Sequence, residues 1–167
     1  MRLKKEFFNR KTLVVARELL GKYLVRCVGG KIIKVKITET EAYCGPNDLA
    51  SHASRGLTPR TKIMFGPAGF TYVYLIYGMY NCLNIVTEKE GYPAAVLIRG
   101  IENISGPGKV CRELKIDRSL NNVDIVTSRE IWIEKGEVVK SSQTKKGKRV
   151  GVDYAGVYKN KLWRFYL

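Results

Sequence analysis

The sequence predicts an α+β fold, and three observations carry that prediction. Several short apolar runs alternate as strands do, and only a few segments show helical spacing. The 167 residues, 45% of them hydrophobic, amount to one domain with enough apolar surface to build a core. The expectation is a single domain over residues 1–167, with a mixed, mostly antiparallel β-sheet and flanking helices.

Thr12 to Leu20 places Leu13, Ala16, Leu19 and Leu20 at helical spacing and Gly21 supplies a stop, so an amphipathic helix opens the fold. Tyr23 to Val28, Gly29-Gly30 and Ile32 to Ala42 read as strand, tight turn and strand. Val35, Ile37, Glu39, Glu41 and Tyr43 alternate along the second strand, which brings Glu41 near a strand end where its side chain can enter a cleft. Gly45 to Lys62 is polar, holds Pro46 and Pro59, and is long for a simple connection, the mark of a functional loop. Tyr72 to Asn84 reads as a β-hairpin bending near Gly78-Met79. After a polar turn at Glu88 to Gly91, Ala94 to Arg99 is a buried strand. Ser105 or Gly106 caps a short helix through Val110, Cys111 and Leu114. Ile131-Trp132-Ile133 is a further strand, Lys140 to Arg149 a mobile basic loop, and Val150 to Val152 and Trp163 to Leu167 closing strands.

Thirty basic and 15 acidic residues leave a net charge of +15, which points to a polyanionic partner such as nucleic acid or an acidic membrane surface. The four cysteines form no C-x-x-C pair and His52 is the only histidine, so zinc and iron–sulfur sites are excluded and neither metal nor cofactor is expected. Cys27, Cys44 and Cys82 fall in apolar runs, as reduced buried thiols of a cytosolic protein do. The charged start carries no uninterrupted apolar core, so it is not a signal peptide, and no segment reaches the roughly 18 apolar residues of a membrane span.

The hairpin segment concentrates four tyrosines and two asparagines in this cationic chain. Aromatic rings can replace the stacking that a nucleobase loses on leaving a duplex, at roughly 1–3 kcal/mol per base, while lysines and arginines hold phosphates. A cross-strand tyrosine ladder is the structural alternative. In Glu39-Thr40-Glu41-Ala42-Tyr43 the two glutamates share a strand face, so one can serve as general base while the other faces a rim or solvent. Two exposed carboxylates balancing nearby lysines is the plain alternative. Arg99 ends an apolar strand, where a buried arginine needs a partner, and a glutamate–arginine pair can orient a water molecule. His52 on its own is as readily a local hydrogen-bonding residue. Nucleophile-elbow, P-loop and dinucleotide motifs are absent.

Taken in order, Glu39 to Tyr43, Gly45-Pro46, His52, Thr58-Pro59-Arg60, Met64-Phe65, Tyr72 to Asn84, Val96 to Arg99, Ser105-Gly106-Pro107, Arg149 to Val152 and Arg164-Phe165-Tyr166 resemble the alkyladenine class of 3-methyladenine DNA glycosylases across nearly the whole chain. The combination of the E-T-E-A-Y and Y-V-Y-x-I-Y-G-M-Y runs is far more specific than either alone.

The resemblance implies one glycosylase domain with a curved sheet and a protruding hairpin, acting without a cofactor as a monomer on double-stranded DNA that contains damaged purines. It implies base flipping and hydrolysis of the N-glycosidic bond, with 3-methyladenine as the leading substrate and 7-methylguanine, hypoxanthine and ethenoadenine beside it. Glu41 matches the general base and Arg99 the residue that holds the attacking water. Tyr43, His52 and Tyr74 match residues around the flipped base, Tyr77 the intercalating ring, and Asn84 the side chain that opposes the amino group of ordinary guanine. The implied location is cytoplasmic, on the nucleoid in a bacterium, or nuclear in a eukaryote, with no membrane partner. Larger members carry an insertion where Glu102 and Ser105 are joined only by Asn103-Ile104. A noncatalytic basic nucleic-acid-binding module is the alternative, opposed by the intact Glu41 and Arg99. A lyase using a lysine amine is the other.

Overall fold

The longest strand organises the molecule. In the computed structural model, which describes residues 1–167, β2 (Lys31–Cys44) follows β1 (Tyr23–Val28) through the Gly29-Gly30 turn, whose two positive φ angles of 55° and 78° only glycine adopts freely. The first part of β2 pairs with β1. From Ile37 to Cys44 it pairs with β5 (Ala94–Ile101), with a register shift at Glu39. Glu39, Thr40 and Glu41 also pair with β9 (Arg164–Tyr166), so this short segment is hydrogen-bonded along both edges.

The hairpin of β3 (Thr71–Ile76) and β4 (Tyr80–Val86) completes one wing of the sheet, and β7 (Ile131–Glu134) closes the other, in the order β3-β4-β5-β2-β1-β7. The short β6 (Ile104–Ser105) folds back on β5, and β8 (Lys145–Gly147) extends β9. Every one of these pairings is antiparallel. The helices are few: α1 (Lys5–Phe8), α2 (Thr12–Glu18) and α3 (Pro107–Glu113), with several 3₁₀ turns. This is the expected α+β architecture. No helix is long and apolar enough to cross a membrane.

Strand alternation separates the core from the site. Thr40 and Ala42 turn toward α2, where Thr40 donates its hydroxyl to the Ala16 carbonyl and Ala42 joins a core with Val15, Leu19, Leu83, Ile85, Val96 and Ile98. Each of these valine, leucine and isoleucine side chains stabilises the fold by about 1.5–3 kcal/mol on full burial. Glu41 and Tyr43 therefore emerge on the opposite face, backed by a packed layer that fixes the strand beneath them.

Two expectations need correction. Val150 to Val152 is not a strand but a turn, with Gly151 at φ 75°. Nor is Lys140 to Arg149 one irregular loop: it holds a 3₁₀ turn at Ser141–Gln143 and β8, which uses the edge offered by β9. Alternating hydrophobicity could not signal a three-residue strand whose first two members are lysines. The hairpin bends at Gly78-Met79 as expected. Ile76 pairs with Tyr80, leaving Tyr77, Gly78 and Met79 in the loop.

Candidate active site

Register builds the site as a row across the sheet. Tyr72 pairs with Asn84, Asn84 with Leu97, and Leu97 with Glu41, so four neighbouring strands present side chains to one face. These residues line a pocket of about 440 Å³, within the range that holds a small organic ligand. All seven residues singled out in the sequence, Glu41, Tyr43, His52, Tyr74, Tyr77, Asn84 and Arg99, line this same pocket.

Glu41 is wholly buried. Its Oε1 accepts the Val150 N–H at 2.9 Å and lies 3.6 Å from Arg99 Nε, while Oε2 accepts the Tyr43 hydroxyl at 2.9 Å. Burial pushes its carboxyl above the ordinary value, against the pull of the Val150 N–H, the Arg99 guanidinium and the Tyr43 hydroxyl. Arg99 Nε is itself buried and aligned with neither neighbouring carboxylate for a hydrogen bond. Such a pair, a desolvated carboxylate beside a guanidinium, is suited to taking a proton from a positioned water.

Glu39 does not face solvent as one reading of the strand expected. It is only 8% exposed, and its Oε1 lies 2.9 Å from Arg164 Nη1 and 3.2 Å from Arg99 Nε. Its Oε2 accepts the Ser105 hydroxyl at 3.1 Å, a contact set up by the tight β5–β6 connection through Asn103, which adopts φ 65°. The register shift at Glu39 and the second pairing with β9 carry it into this ion-pair cluster, which the two-residue spacing alone does not encode.

The walls are aromatic. His52, on a 3₁₀ turn capped by Ser51, meets the Tyr74 ring edge-on at 4.5 Å, and its Nδ1 is 3.1 Å from the Tyr72 hydroxyl. Burial, with Arg60 and Arg55 adding repulsion, brings His52 down to about 4, so its ring is neutral near pH 7. Burial and the adjacent Glu41 charge hold the Tyr43 phenol well above its ordinary value, and it remains a donor. Asn84 donates its amide to the Tyr72 carbonyl at 3.2 Å, which pins the side chain in place. Tyr77 is the opposite of these: 89% exposed at the hairpin tip, and held at φ 53°, a left-handed conformation rare for an aromatic residue.

Sequence reasoning passed over Asp48 and Arg149, which form a fully buried ion pair behind Tyr43. Arg149 stood within a run of surface-type lysines and Asp48 in a polar loop. Besides the place of Arg149 to Val152 in the family resemblance, the local signal was the position of Arg149 directly before the apolar Val150-Gly151-Val152.

The family profile described as methylpurine-DNA glycosylase (MPG) matches residues 6–105 and 102–167. A protein of Methanocella arvoryzae named as a candidate 3-methyladenine DNA glycosylase is 50% identical over 184 residues, covering 98% of this chain and 91% of the relative. Similarly named proteins of Legionella pneumophila strain Corby and Myxococcus xanthus are 47% and 45% identical, each covering 99% of this chain and 94% and 89% of the relative. With matches of this extent over a fold that gathers the expected side chains into one pocket, the chain belongs to the methylpurine-DNA glycosylase family and is a DNA glycosylase, a hydrolase of N-glycosyl bonds.

Proposed function

We propose that residues 1–167 act as one glycosylase domain that flips alkylated purines, 3-methyladenine foremost, out of duplex DNA and hydrolyses their N-glycosidic bond with a water activated by Glu41. The observation that carries this reading is the wholly buried Glu41 carboxylate in an aromatic-walled pocket, beside an arginine and within the same cavity as the exposed Tyr77. Tyr77 enters the stack as the base leaves and offsets part of an unstacking cost of a few kcal/mol. Tyr43, His52 and Tyr74 enclose the extruded base, and the +15 charge holds the phosphates.

Methylation at a ring nitrogen makes the purine cationic, so the leaving group is already activated and catalysis can rest on the nucleophile. Water forms a bond from its oxygen to C1′ as the C1′–N bond breaks, the bonding electrons neutralise the departing cationic ring, and the water proton passes to Glu41. The Arg99 guanidinium steadies the water and the carboxylate. The same pocket accepts 7-methylguanine, and neutral lesions such as hypoxanthine and ethenoadenine require protonation of the leaving purine as well.

The test is Glu41→Gln on duplex DNA methylated with dimethyl sulfate. The amide keeps the shape but cannot take a proton, so release of free 3-methyladenine should fall to the spontaneous rate while duplex binding persists. Release near the wild-type rate, after subtracting spontaneous loss, would end this assignment.

A further inference from the structure

Both groups that donate a hydrogen bond to Glu41 lead back to one buried arginine. Val150, whose N–H meets Oε1, is the next residue in the chain, and the Tyr43 ring, whose hydroxyl meets Oε2, lies 4.9 Å from the Arg149 guanidinium carbon. Trp163 lies at the same distance from that carbon, so the guanidinium packs against two aromatic rings. Arg149 Nη1 also donates to the carbonyl of Ala42, the residue between Glu41 and Tyr43, and Nη2 to that of Tyr158.

Asp48 fixes this arginine and the loop that follows β2. Its two oxygens take Arg149 Nη1 at 2.5 Å and Nη2 at 2.9 Å, and they also accept the N–H groups of Cys44 and Ala50. Neither side chain of the pair is exposed at all, so neither reaches DNA. Arg149 Nε has no hydrogen-bond partner. A buried ion pair with an unsatisfied donor is a poor device for stability alone, because desolvation offsets most of its attraction. What it does supply here is register, since it ties together the strand of Glu41, the ring of Tyr43 and the turn of Val150.

We propose that Arg149, held by Asp48, is a positioning residue for base hydrolysis: it sets the Val150 N–H and the Tyr43 hydroxyl on the two oxygens of Glu41 and so keeps that carboxylate aimed. The proposal rests on the reading of Glu41 as the base. The other charged or titratable groups near Glu41 are Arg99 from β5, Glu39 beside it on β2, Tyr74 from β3 and Cys82 from β4, and none of these is bonded to Arg149. Burial raises the Glu41 carboxyl, while the Val150 N–H, the Arg99 charge, the Tyr43 hydroxyl and the charge of Arg149 itself lower it, so a variant that keeps the charge but loosens the two donors, as Arg149→Lys does, moves its titration upward through their placement alone.

The experiment compares wild type, Arg149→Lys, the neutral pair Asp48→Asn with Arg149→Gln, and Glu41→Gln. Release of 3-methyladenine from dimethyl sulfate-methylated duplex is measured with enzyme in excess across pH, alongside thermal transitions and binding to undamaged duplex. Lysine keeps the charge but cannot span both Asp48 oxygens and two carbonyls or lie flat against the rings. The expected result for Arg149→Lys is a plateau rate lower by about tenfold to a hundredfold, as misalignment of a reacting group produces, with the acidic limb displaced to higher pH and binding unchanged. A lower rate that tracks only the folded fraction, with the limb unmoved, overturns the proposal in favour of a purely structural pair. So does a folded variant with the wild-type profile, or failure of both Arg149 variants to show a cooperative transition. Glu41→Gln separates the two readings. If it stays active the assignment of the base fails, whereas an inactive Glu41→Gln beside unmoved Arg149 profiles removes only the positioning role.

Discussion

Arg99 Nε lies 3.2 Å from Glu39 Oε1, closer than the 3.6 Å that separates it from Glu41 Oε1. The second carboxylate of the strand is therefore the nearer partner of the arginine, and it is braced in turn by Arg164 and Ser105. A guanidinium shared by two carboxylates holds its aim only while both remain charged. Glu39→Gln should lower the single-turnover rate about tenfold, less than Glu41→Gln, because it loosens Arg99 without removing the base. A double-mutant cycle of Glu39→Gln with Arg99→Gln should give a coupling of about 0.5–3 kcal/mol in the activation free energy. Strict additivity of the two losses would mean that Glu39 does not act through Arg99.

Tyr77 carries a backbone cost that entry into the DNA stack, as proposed, would repay. At φ 53° a residue with a Cβ is strained by roughly 1–2 kcal/mol relative to its preferred regions. Glycine relieves that strain but gives up roughly 0.5–1 kcal/mol in the entropy of the unfolded chain. Tyr77→Gly should leave the thermal midpoint equal to or slightly above that of wild type. With the ring gone, a fluorescent base analogue at the lesion should brighten less on binding, and excision from duplex should suffer more than excision of an unpaired base. Equal emission and equal rates in a folded variant would return Tyr77 to a turn residue without a role in flipping.

His52 sets a pH dependence on stability. In the folded protein its ring stays neutral down to about 4, whereas in the unfolded chain it takes a proton at its ordinary 6.5. Between those values the unfolded state binds more protons, so the contribution is fully present above 6.5 and is lost as the pH falls toward 4. Glu41, raised by burial, works in the opposite direction and is common to the proteins compared. The thermal midpoint of His52→Asn should therefore decline less steeply than that of wild type over this window. Parallel curves would show that burial of His52 does not depress its titration.

Regular elements were legible in the sequence where one periodicity ran for a turn of helix or several strand residues. The Thr12 helix, the Gly29-Gly30 turn, the tyrosine hairpin and the Ala94 strand all stand where apolar spacing and glycine placed them. The seven pocket residues became legible only through the combination of motifs, since a tyrosine ladder satisfies the same spacing. What stayed hidden depends on long-range pairing. Glu39 is drawn inward by the β9 edge far along the chain, the Val150 turn is fixed by its N–H bond to Glu41, and Asp48 meets Arg149 across 101 positions. No local window contains both members of any of these pairs.

On the proposed reading, Asn84 sets the boundary between damaged bases and guanine. Its amide nitrogen is bonded to the Tyr72 carbonyl across the hairpin, and the residue is only 3% exposed, so the side chain cannot swing aside to admit an additional substituent. Hypoxanthine differs from guanine by lacking the exocyclic amino group, and a pocket that takes one and refuses the other must clash with that group or leave its donors unpaired. An unpaired buried donor costs roughly 1–3 kcal/mol, a bias of about tenfold to a hundredfold. Asn84→Ser shortens the side chain, loses its reach to Tyr72 and opens the space. Release of undamaged guanine should rise relative to hypoxanthine by about that factor, measured on duplexes alike except at the target base, with folding confirmed by the thermal transition. An unchanged guanine-to-hypoxanthine ratio in the folded variant would place discrimination elsewhere and leave Asn84 as the cross-strand link of the hairpin.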